Sequence, residues 1–253
     1  MPGSGKFVWY ELMTSDLDAA EKFYGDVIGW KTKDAGMPGQ RYTLAHAGES
    51  RTAGLMAIPE HAAGARPGWI GYVGVDDVDA YAARMKERGG AVHRDPADIP
   101  GIGRFAVVED PQGIVFALFK GNGTPPPPVA AGTPGHAGWH ELHAQDGVKA
   151  FDFYSDMFGW TKADTMDMGP MGVYQLFAID GVPVGGMMTK MPSTPSPFWL
   201  YYFNVPEIRA AEERVKAGGG QVINGPMQVP GGSWIVQCLD PQGAMFAMVA
   251  PGS

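Results

Sequence analysis

A phrase near the start of the chain, Trp9-Tyr-Glu-Leu12, returns as Trp139-His-Glu-Leu142 at an offset of 130 residues. The same offset carries Phe23-Tyr24 to Phe153-Tyr154, Gly29-Trp30 to Gly159-Trp160, and Trp69 with Tyr72 to Trp199 with Tyr202. It also carries Arg84-Met-Lys86 to Arg214-Val-Lys216, and Asp110-Pro-Gln-Gly113 to Asp240-Pro-Gln-Gly243. One interval held from end to end marks a tandem duplication, so the fold must be two copies of a single unit. Between the copies, Gly121-Asn-Gly-Thr-Pro-Pro-Pro-Pro128 favours extended polyproline geometry and reads as a semi-rigid linker. The resulting division is a domain over 1–121, a linker over 122–136 and a second domain over 137–253.

Within a copy the hydrophobic period switches between strand and helix. Phe7–Met13 reads as a strand. Ser15 and Asp18 have capping-box spacing, and Leu17, Ala20, Tyr24, Val27 and Ile28 follow helical spacing up to a stop at Gly29. Strands are expected near Tyr42–Ala45 and Thr52–Ile58. The pattern then restarts with a strand at Trp69–Val75, a helix through Val78, Tyr81, Ala82 and Met85 ending at Gly89-Gly90, and strands near Phe105–Glu109 and Ile114–Phe119. Asp110-Pro-Gln-Gly113 has the residues of a type I turn joining those last two strands. The second copy repeats the series, with a helix at about Val148–Phe158 and another opened by Pro206 and closed by Gly218. Each copy is therefore strand–helix–three strands, twice over.

Composition narrows the functional classes. An apolar fraction of 45% with 18% charged residues suits a core-forming globular chain. The formal net charge of −8 argues against nucleic acid or an anionic membrane as partner. No apolar run is long enough to span a bilayer, and Met1–Lys6 is too short and polar for a secretory signal, so a cytoplasmic protein is expected. With one cysteine, Cys238, no internal disulfide framework is possible.

The βαβββ rhythm, the phrase Asp-Leu-Asp-Ala-Ala-Glu-Lys-Phe-Tyr at 16–24 followed by Gly29-Trp30, and the Asp-Pro-Gln-Gly turn before an apolar last strand resemble the vicinal oxygen chelate (glyoxalase/bleomycin-resistance/dioxygenase) superfamily. The resemblance implies an α+β fold of four βαβββ modules in two tandem glyoxalase-like domains, with curved mixed sheets forming cups. It implies a small ligand in the cup, and either binding alone or enzyme chemistry, because that fold hosts both. Metal-dependent members place His, Gln or Glu at set positions. Those positions fall here on Trp9 and Trp139, on Ile70 and Leu200, and on Ala117 and Ala247. None of these side chains offers an imidazole, carboxylate or thiolate donor, so no metal and no other cofactor is expected.

Strand alternation then lists what a cup would present. Trp9, Glu11 and Met13 share one face, as do Trp139, Glu141 and His143. Ile70 and Tyr72, Leu200, Tyr202 and Asn204, Ala117 and Phe119, and Ala247 complete the expected ligand wall, with alanine leaving room where glutamate would stand. Such a surface suits a small hydrophobic or aromatic molecule, and burying one ring of roughly 150 Å² is worth about 3–4 kcal/mol before ordering costs. Glu11, Glu141 and His143 are the candidate proton-handling groups. The competing reading makes the glutamates structural, bonded to a backbone amide or to Arg41 or Arg104. His136, His140 and His143 cluster in sequence, yet His140 and His143 should point to opposite faces of one strand. Gly3-Ser-Gly-Lys6 lacks the context of a phosphate loop, and Cys238 reads as a core thiol.

The leading expectation is a metal-independent binding protein for a small hydrophobic or aromatic ligand. The alternatives are an enzyme of lyase, isomerase, hydroxylase or dioxygenase type using Glu11, Glu141 or a displaced metal, and a partner-binding protein whose cup is packed solid. Two modules in one chain can make internally the contact that single-module relatives make by pairing, so the chain is expected as a monomer with an internal pseudo-dimer, or as a homodimer.

Overall fold

A computed structural model describes residues 5–62 and 64–252. The first copy runs β1 (Phe7–Thr14), α1 (Leu17–Ile28), β2 (Lys31–Asp34), β3 (Tyr42–Ala47) and β4 (Ser50–Ala57), then β5 (Gly68–Gly74), α2 (Val78–Glu87), β6 (Ala91–Ile99), β7 (Gly103–Glu109) and β8 (Val115–Gly121). The second runs β9 (Ala137–Ala144), α3 (Gly147–Phe158), β10 (Thr161–Asp167), β11 (Val173–Ile179) and β12 (Val182–Thr189), then β13 (Phe198–Asn204), α4 (Ile208–Ala217), β14 (Gln221–Gln228), β15 (Trp234–Leu239) and β16 (Met245–Ala250). These are four βαβββ modules of the α+β class. Two open eight-stranded sheets result, ordered β2-β3-β4-β1-β5-β8-β7-β6 and β10-β11-β12-β9-β13-β16-β15-β14. Each mixes antiparallel hairpins with parallel pairs such as β1 with β4 and β5 with β8.

Local chemistry explains the element ends. α1 starts at Asp16, whose carboxylate accepts the Ala19 N–H, so the cap is the aspartate and not the Ser15 expected from the capping-box spacing. Gly29 ends it at φ 90°, a left-handed value that glycine reaches without strain. Glu207 caps α4, placing Pro206 one residue before the cap instead of in the first turn. In the Asp-Pro-Gln-Gly turn, Gly113 N–H donates to Asp110 O, and the Asp110 carboxylate accepts from the amides of Gln112 and Ile114. Four strands escaped the hydrophobic pattern: β2, β6, β10 and β14. All four are sheet edges, where charged residues and proline replace the apolar alternation because an exposed apolar edge invites aggregation.

Compactness groups the chain differently from repetition. One unit comprises Met1–Val8, Ile70–Pro128 and His140–Trp199; the other comprises Trp9–Trp69, Val129–Trp139 and Leu200–Ser253. Each unit thus combines a module from each copy. In the second unit the indole of Trp69 donates to Tyr24 Oη at 2.9 Å, and Tyr24 donates to Asp240 at 3.0 Å. In the first unit Trp199 donates to Tyr154 at 3.2 Å, and Tyr154 to Asp110 at 3.0 Å. Burial raises both carboxyl groups above the usual aspartate range, and both tyrosines are wholly buried. The helix of one copy is therefore fastened to the last hairpin turn of the other. Further ties repeat the exchange: Trp30 donates to Gly135 O and Trp160 to Gly5 O, while Arg214 reaches Val27 O.

Among the described residues no helix is long and apolar enough to cross a membrane. Cys238 is buried, and burial pushes its thiol up to about 12, which suits a core thiol. Gly3 and Ser4 of the glycine-rich start lie outside the described residues, and Lys6 pairs with Asp180 at 2.8 Å.

Candidate functional site

Strands β1 and β9 alternate between fully buried and half-exposed residues. Leu12 and Thr14 are buried, whereas Trp9, Glu11 and Met13 share the half-exposed face. In β9 the half-exposed face carries Trp139, Glu141 and His143, with His140 and Leu142 buried on the other side. His140 and His143 do face opposite ways, and among the described residues no three His, Cys, Asp or Glu side chains come together as a metal cluster. His140 belongs to the core. It stacks on Phe7 at 4.2 Å, and its Nδ1 lies 2.8 Å from Val184 O.

The two glutamates have partners that the sequence reading missed. In the first copy the Trp9 indole donates to Tyr42 Oη at 2.9 Å, and Tyr42 donates to Glu11 at 2.8 Å. Burial first, and the neighbouring Glu11 carboxylate second, push the Tyr42 phenol well above the ordinary tyrosine range, so it stays a donor. In the second copy Tyr174 donates to Glu141 Oε2 at 3.1 Å, while His143 Nε2 lies 2.7 Å from Glu141 Oε1. The His143 ring is also stacked on Phe198 at 4.7 Å, nearly parallel. Arg41 and Arg104, offered as alternative glutamate partners, are paired with Asp18 and Glu21 and with Asp79 and Asp98.

Glycine makes this arrangement possible. Gly54 stands in register with Glu11, and Gly186 with Glu141. A Cβ at Gly54 would collide with the phenol end of Tyr42, and one at Gly186 with that of Tyr174. Each tyrosine therefore lies across a glycine to reach its glutamate. The pair Tyr42/Gly54 returns as Tyr174/Gly186 at an interval of 132, not 130, so a search at one fixed offset passes over it. The repeat slips by two residues here and recovers by Trp199.

The remaining expected wall is more closed. Ile70 and Tyr72 are each 6% exposed, Leu200 and Tyr202 almost fully buried, and Asn204 is 7% exposed with its amide donating to His136 O. Ala117 and Ala247 are wholly buried. Their register partners are Tyr72 and Tyr202, and the methyl groups are covered instead of opening the expected room. Phe119 stays partly exposed. Two surface clefts, about 220 Å³ beside Phe151 and Lys162 and about 320 Å³ beside Arg209 and Trp234, involve none of the expected wall residues.

The metal implied by many members of this fold does not fit the residues present. Indole at Trp9 and Trp139, alkyl groups at Ile70 and Leu200, and methyl groups at Ala117 and Ala247 offer no donor.

Comparison with known proteins agrees with the geometry. The profile of the Glyoxalase/Bleomycin resistance protein/Dioxygenase superfamily matches twice, over residues 6–118 and 134–248. CFP32 of Mycobacterium tuberculosis, provisionally named a glyoxylase, is 32% identical over 250 residues, covering 96% of this chain and 94% of that protein. The anthracycline biosynthesis protein DnrV of Streptomyces peucetius is 31% identical over 261 residues, covering 97% and 93%. Among solved structures, the Mn(II)-bound glyoxalase from Novosphingobium aromaticivorans superposes with a TM-score of 0.68 at 17% identity, covering 98% of this chain and 82% of that one. A homoprotocatechuate 2,3-dioxygenase variant from B. fuscum superposes at 0.70 with 17% identity, covering 100% and 74%; at such identities the likeness speaks for the fold alone. With two matched domains, each built of two βαβββ modules, this chain belongs to the Glyoxalase/Bleomycin resistance protein/Dioxygenase superfamily.

Proposed function

We propose that this protein binds a small hydrophobic or aromatic molecule without a metal, on the half-exposed sheet faces that carry Trp9 and Trp139. The observation that carries the reading is the chain Trp9 → Tyr42 → Glu11, which holds an indole and a carboxylate in fixed positions on one face of the strand. Preorganised aromatic surface with one oriented polar group is what selective binding of a planar molecule needs. The name of the anthracycline-pathway relative supports a polycyclic aromatic ligand in particular.

Titrating intrinsic tryptophan fluorescence with planar aromatic compounds tests this reading. Saturable quenching in the micromolar range is expected, with unchanged affinity after dialysis against a chelator. Gly54→Ala, whose methyl group would displace the Tyr42 ring, is expected to weaken binding on the first copy about tenfold. Failure of every compound to quench, or loss of binding on chelation, counts against it.

A second reading is favoured by one specific observation. Glu141, His143 and Tyr174 form a connected triad with the imidazole 2.7 Å from the carboxylate, and the first copy has Met13 in place of the histidine. Such a pair could move a proton next to a carbonyl, in the manner of an isomerase or lyase, and the glyoxylase name of the mycobacterial relative points the same way. Proton NMR in D2O, following exchange at the carbon beside the carbonyl of hydroxyketones, tests it. Exchange in the parent that falls at least a hundredfold in Glu141→Gln would support catalysis; equal rates in the two proteins would remove it.

A further inference from the structure

The four strands of each second module carry a cross-strand ladder at the same topological place, and the two copies fill it differently. In the first copy the register runs Tyr72, Ala117, Val107, Arg94. In the second it runs Tyr202, Ala247, Gln237, Asn224. Residues in register on neighbouring strands project to one face of the sheet. In both copies the edge strand shifts register on either side of the last ladder residue, between Val92 and Arg94 and again between Arg94 and Ala97, and correspondingly around Asn224. Bulges of this kind re-aim a side chain, and they recur beside functional sites.

The second copy satisfies its ladder internally. Asn224 donates to Gln237 at 3.3 Å, and Gln237 donates to Tyr202 at 2.7 Å. In the first copy valine and arginine stand where the second has glutamine and asparagine, so that pair of amide bonds has no counterpart. The Arg94 guanidinium lies over the Phe105 ring, 4.6 Å from its centroid, and Phe105 is stacked in turn on Tyr72. Phe119 meets Tyr72 edge-on. The acidic residues nearby are engaged with other bases: Glu109 with His93, Asp98 and Asp79 with Arg104, and Asp95 with Lys86 at 3.9 Å. Among the described residues Arg94 has no carboxylate partner, although the chain as a whole is acidic, with net charge −8.

We propose that Arg94, held over Phe105 at the rim of the Tyr72–Phe105–Phe119 aromatic face, is the anion-recognition residue of a subsite for aromatic carboxylates. Stacking on a ring restrains the guanidinium, and because Arg94 is exposed it can take a carboxylate by two parallel hydrogen bonds. The aromatic part of the ligand then lies against Phe119, the one partly exposed ring of the three. The subsite deepens the binding function proposed above, and rests on it, by naming the ligand class: a planar ring system bearing a carboxylate.

Isothermal titration calorimetry with 2-naphthoate and 2-naphthamide, which share shape and differ in charge, is the test. The parent protein is expected to bind naphthoate about tenfold more tightly than naphthamide. Arg94→Gln, at an exposed position, is expected to leave thermal unfolding and naphthamide affinity unchanged while abolishing the preference for naphthoate. Equal affinity for the two probes in the parent, or a preference that survives Arg94→Gln, overturns the anion subsite while leaving aromatic binding in place. Binding of neither probe overturns both the subsite and the binding function beneath it.

Discussion

Asp240→Ala is expected to lower the free energy of unfolding by about 3–5 kcal/mol, and Asp110→Ala by a similar amount, measured by urea denaturation at neutral pH. The Asp240 carboxylate accepts from the amides of Gln242 and Ala244 and from the Tyr24 hydroxyl. The Asp110 carboxylate does the same for Gln112, Ile114 and Tyr154. Both side chains are nearly inaccessible, at 3% and 2% exposure, so alanine strands three donors where water reaches them poorly. Asparagine separates geometry from charge. Burial pushes both carboxyl groups up, which means the negative charge itself is costly, while the retained oxygen still accepts the turn amides. Asp240→Asn should therefore lose only about 1 kcal/mol. An alanine variant within 1 kcal/mol of the parent would refute the role given to this carboxylate.

The second large effect is acid sensitivity centred on His140. Burial depresses its imidazole to about 4, while the unfolded chain titrates it near 6.5. The folded-state value is depressed, so this contribution is intact above 6.5 and declines as pH falls toward 4, because only the unfolded chain takes up the proton in that window. Its size is about 3 kcal/mol over the whole interval. Asp110 and Asp240 act in the opposite sense: their raised values make ionisation costly, so they lose stability as pH rises through their folded-state pKa and regain it on acidification. The informative quantity is accordingly the difference between the parent and His140→Phe. Phenylalanine keeps the stack on Phe7 but leaves Val184 O without its ring partner, so the variant should be about 1–2 kcal/mol less stable at pH 8. Its disadvantage should vanish or reverse by pH 4. Parallel stability curves for the two proteins between pH 8 and pH 4 would refute the assignment.

The fold was legible in the sequence wherever burial imposes a period. The four helices, the strands that precede them and the Asp-Pro-Gln-Gly turns all declared themselves through apolar spacing or turn residues. The edge strands did not, because β2 and β6 carry Lys31, Lys33, Arg94 and Asp95 where a central strand would be apolar. Face assignment along β1 and β9 was equally legible, since alternation needs only the identity of the buried partner. Tyr42 and Tyr174 were not. They lie about thirty residues from the glutamates they touch, and contacts of that kind depend on a loop whose length differs between the copies. The crossed contacts of Tyr24 with Asp240 and Tyr154 with Asp110 were beyond reach for a related reason. Both members of each pair stood out as repeated residues, but repetition alone leaves open whether a helix packs on its own hairpin or on its twin's.

That reciprocity bears on how the two copies could come to differ. When identical subunits associate, any substitution is present in every subunit and must be tolerated in each. A covalent tether between the copies, here Gly121 through Pro128, replaces subunit concentration with a locally enforced one and gives each half its own sequence to vary. Methionine at 13 against histidine at 143, and arginine at 94 against asparagine at 224, are differences of the sort that only a fused pair can hold. The fasteners that cross between copies, by contrast, have stayed alike. Fusion thus leaves each half free to vary at such positions while the residues of the crossed contacts stay paired.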